Sequence, residues 1–439
     1  MSKKIATFVI AGTACGLASA QSTLDLERAY TAELMADAAN RSSLLQGAGE
    51  GSGFTMTSGD GSSTLTTNAL FQFRYVANFR DDANAGVGSD NDFTHGFEIP
   101  RARIDWSGNV INDNLTYRIS GDFGEINSGG SNNFAVTWAY GQYEFEGMEG
   151  AFLRFGQFKA PLMWEELVDA EFQLAGDRSV AGETFSQQYS QGLMFGYEQE
   201  AWRGYFAFTD GLGSAGTNYN DGVEADWALT ARAEFKFAGD WARFTDFTSW
   251  RNSDYAGKIG AAIHYEQYGE TGNAAPGGAG RHPLAQASPG DQLLYTVDAV
   301  VEGNGWNAFA AFYGNYTEAD NVSNSDFNDF GIVAQGGVFV TDQVELFARY
   351  DGIFLDSDRA VDEDTFNFLT VGANYYFFPE SHAVKATLDL LISFDDTVGT
   401  TNPSLFGTSG VGAAVSPTSF LGQDDDADFA IRAQASVLF

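Results

Sequence analysis

The sequence predicts an all-β protein: a sixteen-stranded antiparallel transmembrane β-barrel preceded by a short N-terminal helix. Three observations predict it. Apolar and polar residues alternate with a period of two from residue 65 to the end of the chain. Segments with this pattern occur an even number of times, as bilayer spanning by strands requires. The connections between them alternate between short and long, the asymmetry of a barrel with short turns at one rim and longer loops at the other.

Composition sets the frame. The chain has 439 residues, 23 Lys and Arg against 59 Asp and Glu, and a formal charge of −36. Such an acidic chain lacks the positive face that phosphate contacts need, so nucleic acid is excluded as a partner. Aromatic residues make up 15%, too many for a chain that stays unfolded. Beyond the first twenty positions no apolar run reaches the roughly 20 residues of a membrane helix.

Residues 1–20 read as a secretory signal: Lys3 and Lys4, an apolar stretch over 5–17, then Ala18-Ser19-Ala20 as the small-residue cleavage site. Cys15, the one cysteine, lies inside it. Gly12 stands where a lipoprotein signal carries an aliphatic residue, so Cys15 is read as removed with the signal. Residues 22–45 have helical spacing, with Leu26, Tyr30 and Leu34 on one face and Ser22 or Thr23 as a cap. Both a self-associating periplasmic helix and a partly ordered tail fit that pattern. A Gly/Ser-rich linker over 46–63 completes the segment 21–63.

The barrel is expected over 64–439. In its first strand Phe71, Phe73, Tyr75, Ala77 and Phe79 share a face, opposite Gln72, Arg74, Asn78 and Arg80. Leu115, Tyr117 and Ile119 alternate with Thr116, Arg118 and Ser120. Leu229, Ala231, Ala233 and Phe235 alternate with Thr230, Arg232, Glu234 and Lys236. In the final strand Phe429, Ile431, Ala433, Ala435, Val437 and Phe439 oppose Arg432, Gln434 and Ser436. The sixteen segments fall near 65–80, 96–108, 113–124, 134–146, 151–159, 191–198, 201–209, 226–238, 257–268, 292–303, 305–317, 327–340, 342–354, 364–378, 382–394 and 428–439. Charges recur on the polar face from strand to strand. A dry interior would hold them at a cost of several kcal/mol each, so the expectation is a water-filled lumen. One connection breaks the short–long rhythm: 238–256 belongs to the short-turn rim yet is long, and a small helix is expected over 241–250.

Several stretches carry a family resemblance. Gly96-Phe97-Glu98-Ile99-Pro100-Arg101-Ala102-Arg103, Leu115-Thr116-Tyr117-Arg118, Gly121-Asp122-Phe123 and Tyr205-Phe206-Ala207-Phe208-Thr209-Asp210-Gly211 contribute, with the terminal Phe439. The strongest is Leu153-Arg154-Phe155-Gly156-Gln157-Phe158-Lys159-Ala160-Pro161, followed by Glu165-Glu166 and Asp177-Arg178-Ser179. Together they resemble the phosphate-selective porin O and P family of Gram-negative outer membranes. The resemblance implies a homotrimeric porin in outer-membrane lipid that passes small hydrophilic solutes or ions and uses no cofactor. It also implies a third loop, here 160–191, folded into the pore, with a short amphipathic helix expected around Trp164, Glu165, Glu166, Asp169, Glu171 and Phe172.

The candidate pore-lining and selectivity residues are then Arg74, Arg101, Arg103, Arg118, Arg154, Lys159, Glu165, Glu166, Glu171 and Arg232. The six arginines among them, together with Lys236, Lys258, Arg349, Lys385 and Arg432 on the polar faces, are nearly balanced by Asp105, Asp122, Glu234, Glu266, Asp298, Glu302, Glu345, Asp351 and Asp389. The expected constriction adds mostly acids, which predicts cation preference or weak selectivity rather than strong anion selection. The phase of the strand around Arg154 is ambiguous. Acids clustered at Asp81-Asp82, Asp356, Asp358, Asp362-Glu363-Asp364 and Asp424-Asp425-Asp426 read as solvated loops, or as carboxylates bridged by divalent cations. His95, His264, His282 and His382 are the only imidazoles, and no nucleophile elbow or zinc-protease motif accompanies them. The alternative to a porin is an adhesive or structural barrel with a plugged lumen, its long loop near 397–423 doing the work.

Overall fold

The computed structural model describes residues 53–80, 93–124, 134–219, 224–268, 282, 284–285, 288–320, 326–359, 363–395, 397, 418–421 and 428–439. The signal, the N-terminal helix and the start of the linker lie outside these residues, as do Asp81-Asp82, Asp362, Asp424-Asp425-Asp426 and most of 397–423.

Sixteen strands close into one antiparallel barrel. They are β1 (Thr64–Phe79), β2 (in two pieces, Phe93–Glu98 and Ala102–Val110), β3 (Asn112–Asp122), β4 (Ala135–Glu144), β5 (Ala151–Phe158), β6 (Ser190–Glu198), β7 (Trp202–Thr209) and β8 (Ala225–Ala238). There follow β9 (Ala256–Tyr268), β10 (Gly290–Gly303), β11 (Trp306–Ala319), β12 (Phe327–Phe339), β13 (Val344–Phe354), β14 (Thr365–Tyr376), β15 (Val384–Ser393) and β16 (Phe429–Leu438). Each strand pairs with the next. The ring is closed by β16 on β1, from Phe429 opposite Phe79 to Leu438 opposite Leu70. Closure removes every sheet edge, which is what hydrocarbon demands of a backbone with no water to bond.

The outward face is the apolar one. Phe71, Phe73, Phe155, Phe206, Phe208, Phe235, Ile259 and Ile263 are all exposed, while their polar neighbours along each strand are buried or half-buried. Expected and observed strands agree except at three places. Ile99-Pro100-Arg101 interrupts β2, because Pro100 has no N–H to give the ladder; Arg101 O still accepts from Gln72 N at 2.9 Å, keeping the two pieces in line. The end of the expected linker forms a short strand, Phe54–Thr57, paired with the start of β1. The long connection after β8 holds only a 3-10 turn, Trp241–Phe244, and folds inward, burying Phe244 and Phe247.

The largest departure from a simple barrel follows β5. Gly156 has φ +122, and a Cβ there would stand 2.3 Å from Ala139 O. Only glycine accepts both conditions. Beyond it the chain enters the barrel instead of leaving it. A valine at position 156 would meet the Ala139 carbonyl and a left-handed backbone together, at a cost of about 2 kcal/mol or more. Gly156→Val should lower the denaturant midpoint of the compact, unheated species on a gel; an unchanged midpoint would refute this account.

Candidate functional site

Residues 159–189 form the inward loop. Two one-turn helices, α1 (Trp164–Leu167) and α2 (Val180–Thr184), and a 3-10 turn (Ala170–Phe172) replace the single amphipathic helix expected there. The break follows from the side chains. Glu165 and Glu166 do not point to water but fold the loop onto itself. Glu165 accepts from Ser179 N at 2.7 Å, Ser179 Oγ at 2.8 Å and Tyr313 OH at 3.0 Å. Glu166 accepts from Ser186 Oγ at 2.9 Å and Gln187 N at 2.7 Å. Ser179 in turn caps α2, its Oγ accepting from Gly182 N at 2.7 Å.

The loop is fastened to the strands on one side of the barrel. Its apolar residues Leu162, Trp164, Val168, Leu174, Val180 and Phe185 share a buried cluster with inward residues of β10–β16, among them Phe309, Val333, Phe347 and Phe368. Wall cations then take the loop's main-chain carbonyls. Arg232 donates to Leu162 O at 2.8 Å, Lys385 to Gln173 O at 2.8 Å, Arg74 to Gly176 O at 2.9 Å and Arg349 to Asp177 O at 2.9 Å. Asp177 also bridges Arg74 and Arg101, each at 3.0 Å. Burial alone would raise the Asp177 carboxyl, but Arg101 and Arg74 outweigh it and hold the group well below the usual aspartate range. Asp389, clamped by Arg432 at 2.7 Å, accepts from Gly176 N at 2.9 Å.

Elsewhere the wall keeps contact with solvent. Arg74, Arg232, Lys258 and Arg349 have side chains no more than 1% exposed, whereas those of Arg118 and Arg203 are 22% and 18% exposed. This wetted wall, on β3–β8, holds its cations over aromatic rings. In its upper part Lys159 lies 5.3 Å from the Tyr189 ring centre and 5.8 Å from that of Trp138, and Arg118 lies 4.7 Å from Trp138. Trp138 meets Tyr140 edge-on, and Arg154 stacks over Tyr140 at 4.2 Å. In its lower part Phe152 meets Tyr205 at 6.3 Å, Arg203 lies over Trp241 at 4.3 Å, and Lys236 lies 5.3 Å from the same indole. Arg118 is also paired with Asp105 and Asp169. Arg154 hydrogen-bonds only to Gln142 Oε1, and Lys236 has no carboxylate partner among the described residues.

The phosphate-selective porin O and P family model matches residues 72–396. The chain belongs to this family. The porin's barrel is similar to the anion-selective porin of Comamonas acidovorans (9% identity, 86% of this chain and 100% of that one, TM-score 0.57). It is also similar to OmpT of Vibrio cholerae (13%, 86% and 98%, 0.54) and to OmpF of Salmonella typhi (12%, 88% and 100%, 0.54). At these identities the likeness is one of fold. No curated protein matches the sequence. Family and fold make the protein an outer-membrane porin, a channel architecture rather than an enzyme scaffold.

The porin distributes its ten sequence-read residues between two environments. Arg103, Arg118, Arg154, Lys159 and Glu171 lie on the β3–β8 side or on the loop edge facing it, where Arg118, Arg154 and Glu171 are half-buried but Lys159 and Arg103 are only 3% and 6% exposed. Arg74, Arg101, Arg232, Glu165 and Glu166 lie beneath the loop, 3% exposed or less, where pairing and carbonyl contacts replace the water that sequence reasoning supplied. Arg154 is on the interior face, which settles its phase. The rings at Trp138, Tyr140, Tyr189 and Tyr205 went unread as a group; alternation marked some of these positions as inward, but only pairing across β4–β7 brings them together. His264 is sealed between Thr230 (2.7 Å) and Glu266 (3.1 Å).

Asp177→Ala would leave Arg101 buried with no carboxylate among the described residues and Arg74 with Glu98 in place of two, at a cost of about 3 kcal/mol. We expect a freer loop, seen as larger and noisier single-channel steps. Because the folded-state value of Asp177 lies below the unfolded one, its contribution is complete above about pH 4 and is lost as pH falls through the depressed value. Wild-type steps should therefore stay quiet from neutral pH down to that point, and early acid noise would contradict the assignment.

Proposed function

We propose that solutes cross this porin by passive diffusion along the wetted wall of β3–β8, with residues 160–191 as the constriction loop and the far half of the lumen closed by that loop. The single observation carrying this reading is the contrast in exposure between Arg118 and Arg203 and the sealed cations beneath the loop. Arg103, Arg118, Arg154, Lys159 and Glu171 are its lining residues; Arg74, Arg101, Arg232, Glu165 and Glu166 position the loop. The functional unit is a homotrimer in outer-membrane lipid, which native mass spectrometry in detergent would test.

Charge along this route is small in net amount. Acids on the loop edge, Asp169 and Glu171, face cations on the strands, and most partners cancel. Arg154 and Lys236 are left uncompensated, and so in part is Lys159, whose ammonium donates to Glu166 O at 2.5 Å. Weak selectivity fits this arrangement, with its sign set by those few cations. A cluster of converging arginines of the kind that would hold phosphate is sealed under the loop, so selectivity for phosphate is not part of this reading.

Burial, helped by the neighbouring Arg178 and Arg103, pushes the Lys159 ammonium down to about 7 against the pull of Glu166 and Asp169. Its positive charge is therefore present below pH 7 and fades above it. Reversal potentials in a KCl gradient should shift toward cations between pH 6 and 8, and Lys159→Gln should remove most of that shift. Arg154→Glu should move the potential toward cations at every pH. An Arg154→Glu channel with the wild-type potential would exclude this wall as the route.

A further inference from the structure

We infer that the rings and cations of the wetted wall form a binding track for aromatic monocarboxylates, molecules of the benzoate type with one anionic group on a flat apolar body. The inference rests on the reading of that wall as the permeation route.

The barrel orients its cations in two ways. Beneath the loop, guanidinium groups are held by carboxylates and main-chain carbonyls, which spend their charge: Arg432 on Asp389, Arg101 on Asp177, Arg232 on Asp298 and Glu234. On the wetted wall Arg154 and Lys236 are held by ring faces instead. A ring fixes a cation through its quadrupole and leaves the whole positive charge available to a third party. Donors remain for that party. Among the described residues Arg154 gives Nε and Nη2 to Gln142 but has no acceptor for Nη1, and Lys236 has none for Nζ.

The rings also do more than seat cations. Tyr189, Trp138 and Tyr140 touch edge to face at 5.3 and 5.9 Å and Phe152 meets Tyr205, all in one cluster whose centre, Trp138 and Phe152, is buried, so the three tyrosines present the ring surface that a solute can reach. Tyr140, Tyr189 and Tyr205 are partly exposed. A wall that passed only hydrophilic solutes would gain nothing from that surface. For a small doubly charged oxyanion the arrangement is poor, since single cations stand apart with rings between them. For a monocarboxylate attached to a ring it is complementary: the carboxylate takes the free N–H groups, and the solute's ring meets ring edges in the offset or T-shaped contacts that aromatic pairs prefer.

The test uses the full-length porin in planar bilayers, with benzoate, cyclohexanecarboxylate, acetate or inorganic phosphate added to KCl. Benzoate should interrupt the KCl current in brief, concentration-dependent events, while the other three at the same concentration should not. Arg154→Gln and Tyr140→Leu should each lower the frequency of benzoate events about tenfold, and Arg154→Lys should retain most of it. Equal interruption by cyclohexanecarboxylate, by phosphate alone, or an undiminished benzoate effect in Tyr140→Leu would overturn the track. Absence of KCl steps in the wild type would overturn the diffusion reading beneath it, and with it the track. Comparison of the four solutes on the wild type does not depend on any variant folding.

Discussion

The architecture depends on a single constraint: a chain of about thirty residues lies inside a barrel, and every polar group of its irregular backbone must find a partner there. Buried carbonyls without donors would cost more than the loop's apolar contacts return. Arg74, Arg232, Arg349 and Lys385 answer that requirement by donating to Gly176, Leu162, Asp177 and Gln173. Their charges are balanced by Asp177, Asp351, Glu234 and Glu345 on the loop or the wall. The buried electrostatics of this barrel are therefore those of a docking surface. They fix where the loop sits.

From that docking follows the asymmetry of the lumen. Apolar inward residues on β10–β16, such as Phe309, Val333 and Phe347, receive Trp164, Val180 and Phe185, and water is displaced from that half. From the opposite rim the turn after β8 reinforces the seal: Phe247 packs on Trp164 at 4.7 Å, and its N–H reaches Phe172 O at 3.3 Å. What stays wet is the wall of β3–β8, where cations rest on rings. Two ways of holding a buried or half-buried cation thus divide one barrel: by carboxylates and carbonyls under the loop, and by ring faces on β3–β8.

Much of this was legible beforehand, and the reason lies in period. Phe71, Phe73 and Tyr75 against Gln72 and Arg74 state which way each side chain points, and strand after strand the inward set was correctly read. The resemblance carried in part by Gly156–Pro161 implied the inward loop, and Gly156 itself sits within β5, where the close approach of Ala139 O leaves no room for a Cβ. One reading failed. A recurring charge on an inward face was taken to mean water, yet for Arg232 and Glu165 it means a partner on another element. Phe309 and Phe347 also alternate inward, and nothing local distinguishes an apolar inward residue awaiting a loop from an irregularity in the pattern.

The sequence by itself determined the sheet: strand number, the direction of nearly every face, and the rhythm of turns and loops. Those are properties of neighbouring residues, and alternation with turn chemistry encodes them locally. Tertiary structure alone decided which inward charges are sealed and which are wet, because that depends on where residues 159–189 come to rest against strands up to two hundred positions away. Solvent access is a property of the enclosed volume, and no stretch of chain specifies it alone.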